Sequence, residues 1–268
     1  MLDVDQLYFS IGDQQILSGI SFSILSGQSV GIIGPNGSGK TTLFNCLSGF
    51  NRVDSGTISL KGEDLTMLPA YERARRGIGR VFQNFGIFRE MSVFDNLLVA
   101  LESREGLMAT FLPFSMRSRA LRQEVSDALA EVGLASVKKK SASNLSGGQM
   151  RLLEIARTFA CGSSVFLLDE PTAGVSPIMK GEVGTCINRL RQAGRTILII
   201  EHDIEFVQRF CDRIIVLDGG KIVMDDTPEK VRNSDLLKQI YFGSEAPAEG
   251  AGILGRWDEA ADTFIVSG

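Results

Sequence analysis

Short aliphatic runs alternate with helix-forming segments over most of the chain. Residues 165–168 and Thr196–Ile200 are dense in aliphatic side chains, and a helical stretch precedes each run. A strand that lacks polar alternation is usually buried on both faces, as in a parallel sheet that helices cover. The pattern therefore predicts an α/β core with a mainly parallel sheet.

The strand pattern differs on either side of this core. Apolar and polar residues alternate at 2–8 and again at 20–24, which predicts an antiparallel β portion near the N-terminus. Residues 213–217 and 221–224 flank the turn 218–220, which contains two glycines, and they predict a closing hairpin.

A mostly helical region interrupts the α/β pattern. One apolar helical face is formed by Leu121, Val125, Ala128 and Val132. Residues 93–101 also have helical periodicity. We therefore expect a helical subdomain at about residues 85–160, inserted into the α/β core.

The composition is that of a globular protein. The chain has 268 residues, of which 44% are hydrophobic and 22% charged. No apolar run approaches the ~20 residues that span a bilayer, and the acidic N-terminus lacks a secretory apolar segment. The four scattered cysteines favour reduced thiols. We expect a cytosolic protein whose role at a membrane depends on partners.

Charge is distributed unevenly along the chain. Residues 1–243 contain 27 basic and 27 acidic side chains, whereas residues 244–268 contain one arginine and five acidic side chains. A neutral body gives no general electrostatic reason to bind nucleic acid. The sequence therefore predicts a domain at 1–243, followed by an acidic C-terminal extension at 244–268.

A glycine-rich segment fits the phosphate-binding pattern G-x-x-x-x-G-K-[ST]. It follows the apolar run Ser29–Ile33 and leads into a helical pattern at Lys40–Ser48, which is the context that such a loop requires. Lys40 should reach the β- and γ-phosphates, and the Thr41 hydroxyl should ligate Mg²⁺. The predicted nucleotide-binding residues of the loop are Gly34, Pro35, Asn36, Gly37, Ser38, Gly39, Lys40, Thr41 and Thr42.

Two carboxylates, Asp169 and Glu170, follow the buried run at 165–168. Open α/β sheets bind their ligands at the carboxyl ends of strands. Asp169 should hold the Mg²⁺ shell, and Glu170 should orient or deprotonate the attacking water. An acidic pair alone often only caps a helix, but together with the glycine loop it predicts a nucleotide-hydrolysing site.

A second glycine-containing segment, Ser146, Gly147, Gly148 and Gln149, precedes another helical pattern. Its serine and its backbone amides predict an anion site at a helix N-terminus. One nucleotide does not need two phosphate sites in one chain, whereas in a head-to-tail dimer this segment can close over the partner's γ-phosphate. We therefore predict that this signature segment, Ser146 to Gln149, acts in trans.

In this order, the motifs resemble those of the ATP-binding subunits of ABC transporters, over about residues 2–243. The resemblance implies a P-loop NTPase core that uses ATP and Mg²⁺. It places Gln83 at the metal or its water, and His202 at the γ-phosphate. It also implies that residues 173–176 cross a dimer interface.

The adenine site departs from the usual family pattern. The family usually stacks adenine on an aromatic residue just before a glycine near the N-terminus, and here Ile11 stands before Gly12. Either Ile11 packs on the ring, or Tyr8 or Phe9 takes its place.

Several segments resemble one ATPase subunit of branched-chain amino acid importers, whose relatives handle urea and short amides. They are residues 42–50, 81–91, 153–157 and 226–243, together with an insertion at 106–116. The resemblance implies import of branched-chain or other neutral amino acids, or of urea and amides. One alternative is a lipid or lipopolysaccharide exporter, whose helical lobe would tend to lack the insertion. Another is a non-transport ATPase of DNA repair or translation, which the single cassette and the neutral core disfavour.

The resemblance also implies partners and a location. The partners are a second ATPase subunit (a copy or a paralogue), two integral-membrane permease subunits and, indirectly, a periplasmic or extracellular substrate-binding protein. No nucleic acid is expected. The implied location is peripheral, at the cytoplasmic face of the cell membrane.

Overall fold

The computed structural model describes residues 1–82, 86–104, 114–242, 256–258 and 263–265. The chain forms two compact units, Met1–Asn233 and Ser234–Gly268. The predicted domain boundary at 243/244 stays a prediction. None of the helices in the described part of the chain combines the length and the apolarity that a bilayer span requires.

The described strands of the first unit form two sheets. In chain order they are β1 (Leu2–Ile11), β2 (Gln14–Ile24), β3 (Ser29–Ile33), β4 (Ser55–Leu60), β5 (Glu63–Asp64), β6 (Ile78–Val81), β7 (Val165–Asp169), β8 (Thr196–Ile200), β9 (Arg213–Asp218) and β10 (Lys221–Asp226). One sheet is antiparallel, in the order β2-β1-β4-β5. The other has the order β10-β9-β3-β8-β7-β6. Both the predicted N-terminal antiparallel portion and the α/β core are confirmed.

The larger sheet is parallel except at one edge. β3 pairs in parallel with β8 and β9, and β7 pairs in parallel with β8 and β6. Every residue of β3, β7 and β8 is buried, which explains why these segments lack polar alternation. The carboxyl ends of the three strands therefore meet at one edge of the sheet, where Gly34, Glu170 and Glu201 follow them.

The hairpin of β9 and β10 closes the sheet as predicted. Gly219 and Gly220 both have positive φ, at 51° and 74°, as a two-residue hairpin turn of right-handed twist requires. A Cβ on Gly220 would lie 2.2 Å from the carbonyl oxygen of Ile16. The turn therefore packs directly on β2. A glycine is needed at position 220 both because its φ is positive and because a side chain would collide with the β2 backbone.

Helices accompany these strands. In the described part of the first unit, the α-helices are α1 (Lys40–Ser48), α2 (Ala70–Arg75), α3 (Val93–Arg104), α4 (Phe114–Glu131), α5 (Gly147–Ala160), α6 (Pro177–Gln192), α7 (Ile204–Phe210) and α8 (Pro228–Arg232). Between β6 and β7 the chain forms α3, α4 and α5, which contact one another. The four residues of the predicted apolar helical face are all buried; three lie in α4 and Val132 directly follows it. That these helices act as a separate subdomain stays a prediction.

The second unit contains one helix and one hairpin in its described residues. Helix α9 spans Asp235–Phe242, and β11 (Arg256–Asp258) pairs antiparallel with β12 (Thr263–Ile265). Trp257 is the register partner of Phe264. The acidic extension thus includes local β structure.

Candidate functional site

The glycine loop folds around its own lysine. Lys40, the first residue of α1, donates from Nζ to the carbonyl oxygens of Gly34, at 2.7 Å, and Pro35, at 2.8 Å. A Cβ on Gly34 would lie 2.0 Å from the carbonyl oxygen of Leu217, so only glycine lets the loop pass this close to β9. The loop is therefore a tight backbone turn that surrounds a cation, as a phosphate-binding loop should be.

Burial and nearby carboxylates both act on this lysine. Burial lowers the pKa of the Lys40 ammonium, while the charges of Glu170 and Asp169 raise it and so partly offset the loss of solvent. An anion placed beside Lys40 would stabilise the charged form further. The site is therefore arranged to bind negative charge.

A second side chain of the loop, Ser38, could bind a phosphate oxygen. The hydroxyl of Ser38 is buried and has no hydrogen-bond partner among the described residues. Buried hydroxyls nearly always find a partner, so this donor fits a ligand that brings oxygens into the loop. Thr41 is exposed at the first turn of α1, where its hydroxyl is accessible to a metal or a phosphate.

A cavity of about 380 Å³ opens beside the loop. Its lining consists of Gln14, Ile16, Asn36, Gly37, Gly39, Lys40, Thr41, Thr42, Glu170 and His202. The structure thus brings together most of the predicted loop residues and both predicted catalytic residues. It adds Gln14 and Ile16 of β2, which sequence reasoning missed because no motif marks them.

Glu170 and His202 face each other at the sheet edge. Glu170 Oε1 lies 3.2 Å from His202 Nε2. Glu170 has φ 47°, a left-handed conformation that is strained for a residue with a side chain. Its backbone N–H donates to the Ile200 carbonyl oxygen at 2.9 Å, which fixes the turn after β7 to the end of β8.

Glu201 holds the backbone behind this pair. Its side chain accepts from the Thr172 N–H at 2.7 Å and from the His202 N–H at 3.2 Å, and only 3% of the residue is exposed. Burial raises the pKa of Glu201, and these hydrogen bonds oppose the rise. Sequence reasoning missed Glu201; the signal was a carboxylate directly after a fully buried strand.

Asp169 is bound by an arginine that sequence reasoning also missed. Arg80 Nη2 lies 2.9 Å from Asp169 Oδ2, and its Nη1 donates to Asn45 Oδ1. The guanidinium carbon of Arg80 lies 4.8 Å from the centre of the Phe82 ring. The ion pair joins β6 to β7 and fixes the Asp169 carboxylate at the end of the sheet.

The predicted metal residues fit Mg²⁺ only together with a nucleotide. Among the described residues, no group of three or more His, Cys, Asp or Glu side chains could hold a metal ion. Thr41 and Asp169 offer oxygen ligands, and Mg²⁺ is commonly bound by one or two carboxylates plus phosphate oxygens. Gln83, the third predicted metal residue, lies outside the described residues.

The signature segment lies apart from the cavity lining. Ser146 is the N-cap of α5 and forms a reciprocal capping box with Gln149. A Cβ on Gly148 would lie 2.6 Å from Met179 Cβ, and one on Gly147 would lie 3.9 Å from the Gly174 carbonyl oxygen. None of the residues that line the cavity belongs to this segment, which instead packs beside residues 173–176 and α6 of the same chain.

The three adenine candidates occupy different environments. Ile11 is 62% exposed at the end of β1 and pairs with Gln14, which lines the cavity. The Tyr8 hydroxyl contacts Gln6 at 3.4 Å, and Phe9 packs on the hydrophobic core. Ile11 is therefore the candidate with a free apolar surface next to the cavity.

Comparison with known proteins identifies the family that this geometry suggests. A family model described as ABC transporter matches residues 17–173. The chain belongs to the ABC transporter family. It is an ABC-type ATPase, and its motifs are those of the ATP-binding subunit of a transporter.

Similar relatives come from two transport systems. The chain is 37% identical to the high-affinity branched-chain amino acid transport ATP-binding protein BraF of Pseudomonas aeruginosa and 38% identical to LivG, of the same description, from Escherichia coli. It is 35% identical to the lipopolysaccharide export system ATP-binding protein LptB of Haemophilus influenzae. Each alignment covers 91% of this chain and 98% of the relative.

Solved ABC cassettes confirm the predicted fold. The ADP conformation of MJ1267, an ATP-binding cassette of an ABC transporter, matches with a TM-score of 0.79 and 30% identity, over 91% of this chain and 99% of that chain. A nucleotide-free ATP-binding cassette from an ABC transporter matches with a TM-score of 0.78 and 30% identity, over 90% and 98%. The roles of individual site residues stay predictions.

Proposed function

We propose that this ATPase binds ATP and Mg²⁺ in the cavity beside the glycine loop and powers membrane transport. The observation that carries the proposal is the Glu170–His202 pair, which lies 3.2 Å apart in the same cavity as Lys40. A carboxylate and an imidazole beside a phosphate-binding lysine can orient a water next to a γ-phosphate and accept its proton.

Each residue has a definable task in this proposal. Lys40 and the loop amides bind the phosphates, and Glu170 accepts a proton from the attacking water. His202 contacts the γ-phosphate and orients the Glu170 carboxylate. Thr41, Asp169 and Gln83 would hold Mg²⁺, which would neutralise charge on the phosphates.

The signature segment completes the site from a second subunit. Ser146, Gly147 and Gly148 present a hydroxyl and backbone amides at the N-terminus of α5, which attract an anion. Since the segment lies away from its own chain's cavity, the γ-phosphate that it contacts belongs to a partner. The proposal therefore requires a head-to-tail dimer with a copy or a paralogue of this chain.

An exposed aromatic groove provides a surface for the permease. Phe50, Phe82 and Phe88 are 58%, 39% and 47% exposed, and the last two line a cavity of about 350 Å³ between α3 and α5. Exposed apolar surface of this kind marks a site of protein interaction. We propose that a cytoplasmic helix of the permease binds in this groove. Such binding would hold the ATPase peripherally at the inner face of the membrane.

The cargo that we propose is a branched-chain or other neutral amino acid, or urea or an amide, delivered to the permease by a substrate-binding protein. The support is the 37–38% identity to BraF and LivG over nearly their whole length. The 35% identity to LptB keeps lipopolysaccharide export as the second candidate. The insertion at 106–116 that favours import lies mostly outside the described residues.

Replacing Glu170 by glutamine tests the proposed chemistry. Glu170→Gln keeps the side-chain size but removes the base, so we expect ATP binding to persist and hydrolysis to fall by about 10²–10⁴-fold. Steady-state phosphate release and an ATP-binding titration measure the two quantities. Unchanged turnover would show that Glu170 is not the base.

The same variant tests the cargo in cells. In a strain that lacks the gene, uptake of radiolabelled leucine should be restored by the wild-type chain and not by Glu170→Gln. Normal leucine uptake in the deletion strain, together with loss of lipopolysaccharide from the cell surface, would favour the export alternative.

A further inference from the structure

Arg80, in β6, is a charged residue inside the protein. Its Nη2 lies 2.9 Å from Asp169 Oδ2, and only 6% and 9% of the two side chains are exposed. A buried ion pair often adds little net stability, because the loss of solvent offsets the attraction between the charges. Arg80 Nε is also buried and has no hydrogen-bond partner among the described residues. A purely stabilising role therefore does not account for an arginine at this position.

The guanidinium of Arg80 is held in one orientation. Its Nη1 donates to Asn45 Oδ1 at 2.5 Å and to Ser48 Oγ at 3.1 Å, while Nη2 binds Asp169. A planar guanidinium can hold several acceptors at once in a fixed geometry and also lie against aromatic rings. The centres of three rings lie within 5.9 Å of its central carbon, those of Phe44, Phe50 and Phe82.

These contacts join the two elements that carry proposed metal ligands. Asn45 follows Thr41 by four residues in α1, so the two side chains share one face of the helix. Asp169 is the last residue of β7. The ion pair uses only Oδ2 of Asp169, and a carboxylate has a second oxygen that can bind a metal ion. Arg80 therefore connects α1 to β7 directly behind the proposed ligands.

We propose that Arg80 is a positioning residue for Mg²⁺, which orients the Asp169 carboxylate and sets the spacing between β7 and α1. The inference rests on the proposed function, since it assumes that Thr41 and Asp169 bind the metal. Arg80 does not line the cavity beside the glycine loop, so we expect ATP binding without metal to be independent of it. Loss of a residue that supports a metal ligand typically weakens metal binding by about 10- to 100-fold.

Mn²⁺ tests the inference without any measurement of hydrolysis. It favours the same oxygen ligands as Mg²⁺, and electron paramagnetic resonance measures the free ion. The full chain is used in the Ser146→Arg background, with protein in excess over ATP so that the nucleotide is bound. Adding Arg80→Met should weaken Mn²⁺ binding to this complex by about 10- to 100-fold. The affinity for ATP in EDTA, measured by calorimetry, should stay that of the parent.

Two further variants separate positioning from general loosening. Arg80→Lys keeps a positive charge that can pair with Asp169 but lacks the planar fork, so it should weaken Mn²⁺ binding less than Arg80→Met. It also carries the test if Arg80→Met does not fold. Arg213→Met is the matched control, because it removes an arginine that is paired with Asp225 between β9 and β10, and it should bind Mn²⁺ like the parent.

The outcomes distinguish this proposal from the proposed function. Parental Mn²⁺ affinity in the Arg80 variants would overturn the positioning role and leave the ATP site in place. Equal weakening in Arg213→Met, or an equal loss of ATP affinity in EDTA after Arg80→Met, would also overturn it, because either result indicates a general loosening. Failure of the parent to bind ATP with or without Mn²⁺ would overturn the proposed ATP site, and the positioning role with it.

Discussion

Glu170 occupies a left-handed backbone conformation between a buried strand and the turn at 171–173. Such a conformation costs about 1–3 kcal/mol and persists only where its surroundings enforce it. Here the Ile200 carbonyl oxygen holds the Glu170 N–H, and the Glu201 carboxylate holds the Thr172 N–H. The carboxylate of Glu170, the proposed base, is therefore positioned by the backbone hydrogen bonds around it.

At the residue scale, the adenine site yields a test of Ile11, with the Tyr8 hydroxyl as a comparison. Ile11→Ala removes apolar surface beside Gln14, and we expect ATP to bind about 5-fold more weakly, since burying a few carbon atoms contributes about 1 kcal/mol. Tyr8→Phe removes only a hydroxyl that contacts Gln6, so it should bind ATP like the parent.

Isothermal titration of ATP into the two variants measures the difference. Full affinity in Ile11→Ala, or weakened binding in Tyr8→Phe alone, would move the adenine contact away from Ile11. Folding is checked by thermal melting, which a substitution at an exposed position should leave nearly unchanged.

The sequence predicted the cavity-lining residues that lie within contiguous motifs, but not those that reach the cavity through tertiary packing. The glycine loop, Glu170 and His202 each follow a recognisable buried strand, and the parallel sheet brings strand ends together. Gln14 and Ile16 reach the cavity because β2 packs against the turn at Gly220. Arg80 reaches Asp169 because β6 pairs with β7. No local pattern encodes those pairings.

At the element scale, two helix N-caps lie next to proposed site residues. In the capping box of α5, the Gln149 N–H donates to Ser146 Oγ and the Ser146 N–H donates to Gln149 Oε1, at 3.2 Å each. Asp203 caps α7 by accepting from the Phe206 N–H at 3.0 Å, directly after His202. Both caps stand beside proposed γ-phosphate contacts, so the helix ends set the position of those contacts.

The cap of α7 has a predictable pH dependence. Burial alone would raise the pKa of Asp203, but hydrogen bonds from Lys180, at 2.5 Å, and from the Phe206 N–H outweigh it and hold the pKa below its usual value. The folded-state pKa is thus lower than the unfolded one. The ionised carboxylate therefore stabilises the fold above the unfolded pKa of about 3.9, and this stability is lost as pH falls through the folded pKa.

Lys180→Met should reveal that contribution. We expect the variant to melt at a lower temperature than the parent at pH 7, with the gap closing as the pH falls below 4. Lys230→Met is the matched control, because the pair of Lys230 and Asp226 is more exposed and such surface pairs contribute little. Melting curves from pH 7 to pH 3 measure both, and a pH-independent gap for Lys180→Met would contradict the assignment.

At the scale of the whole molecule, the cavity beside the glycine loop and the signature segment do not share a lining residue. The cavity beside the glycine loop contains the lysine, the proposed base and the histidine. The signature segment caps α5 beside residues 173–176 instead. Two anion-binding patterns are recognisable in the sequence, whereas the exposed aromatic groove forms only where α3 and α5 pack against each other.

Mixing two inactive variants tests the composite site most directly. Lys40→Ala disables the glycine loop, and Ser146→Arg places a bulky cation at the signature segment while leaving ATP binding to the isolated subunit nearly intact. In a mixed dimer both defects fall in one composite site, so the other site is intact. We predict that neither variant alone hydrolyses ATP appreciably and that their mixture regains hydrolysis. A mixture as inactive as its components, or a Ser146→Arg variant as active as the wild type, would contradict the account.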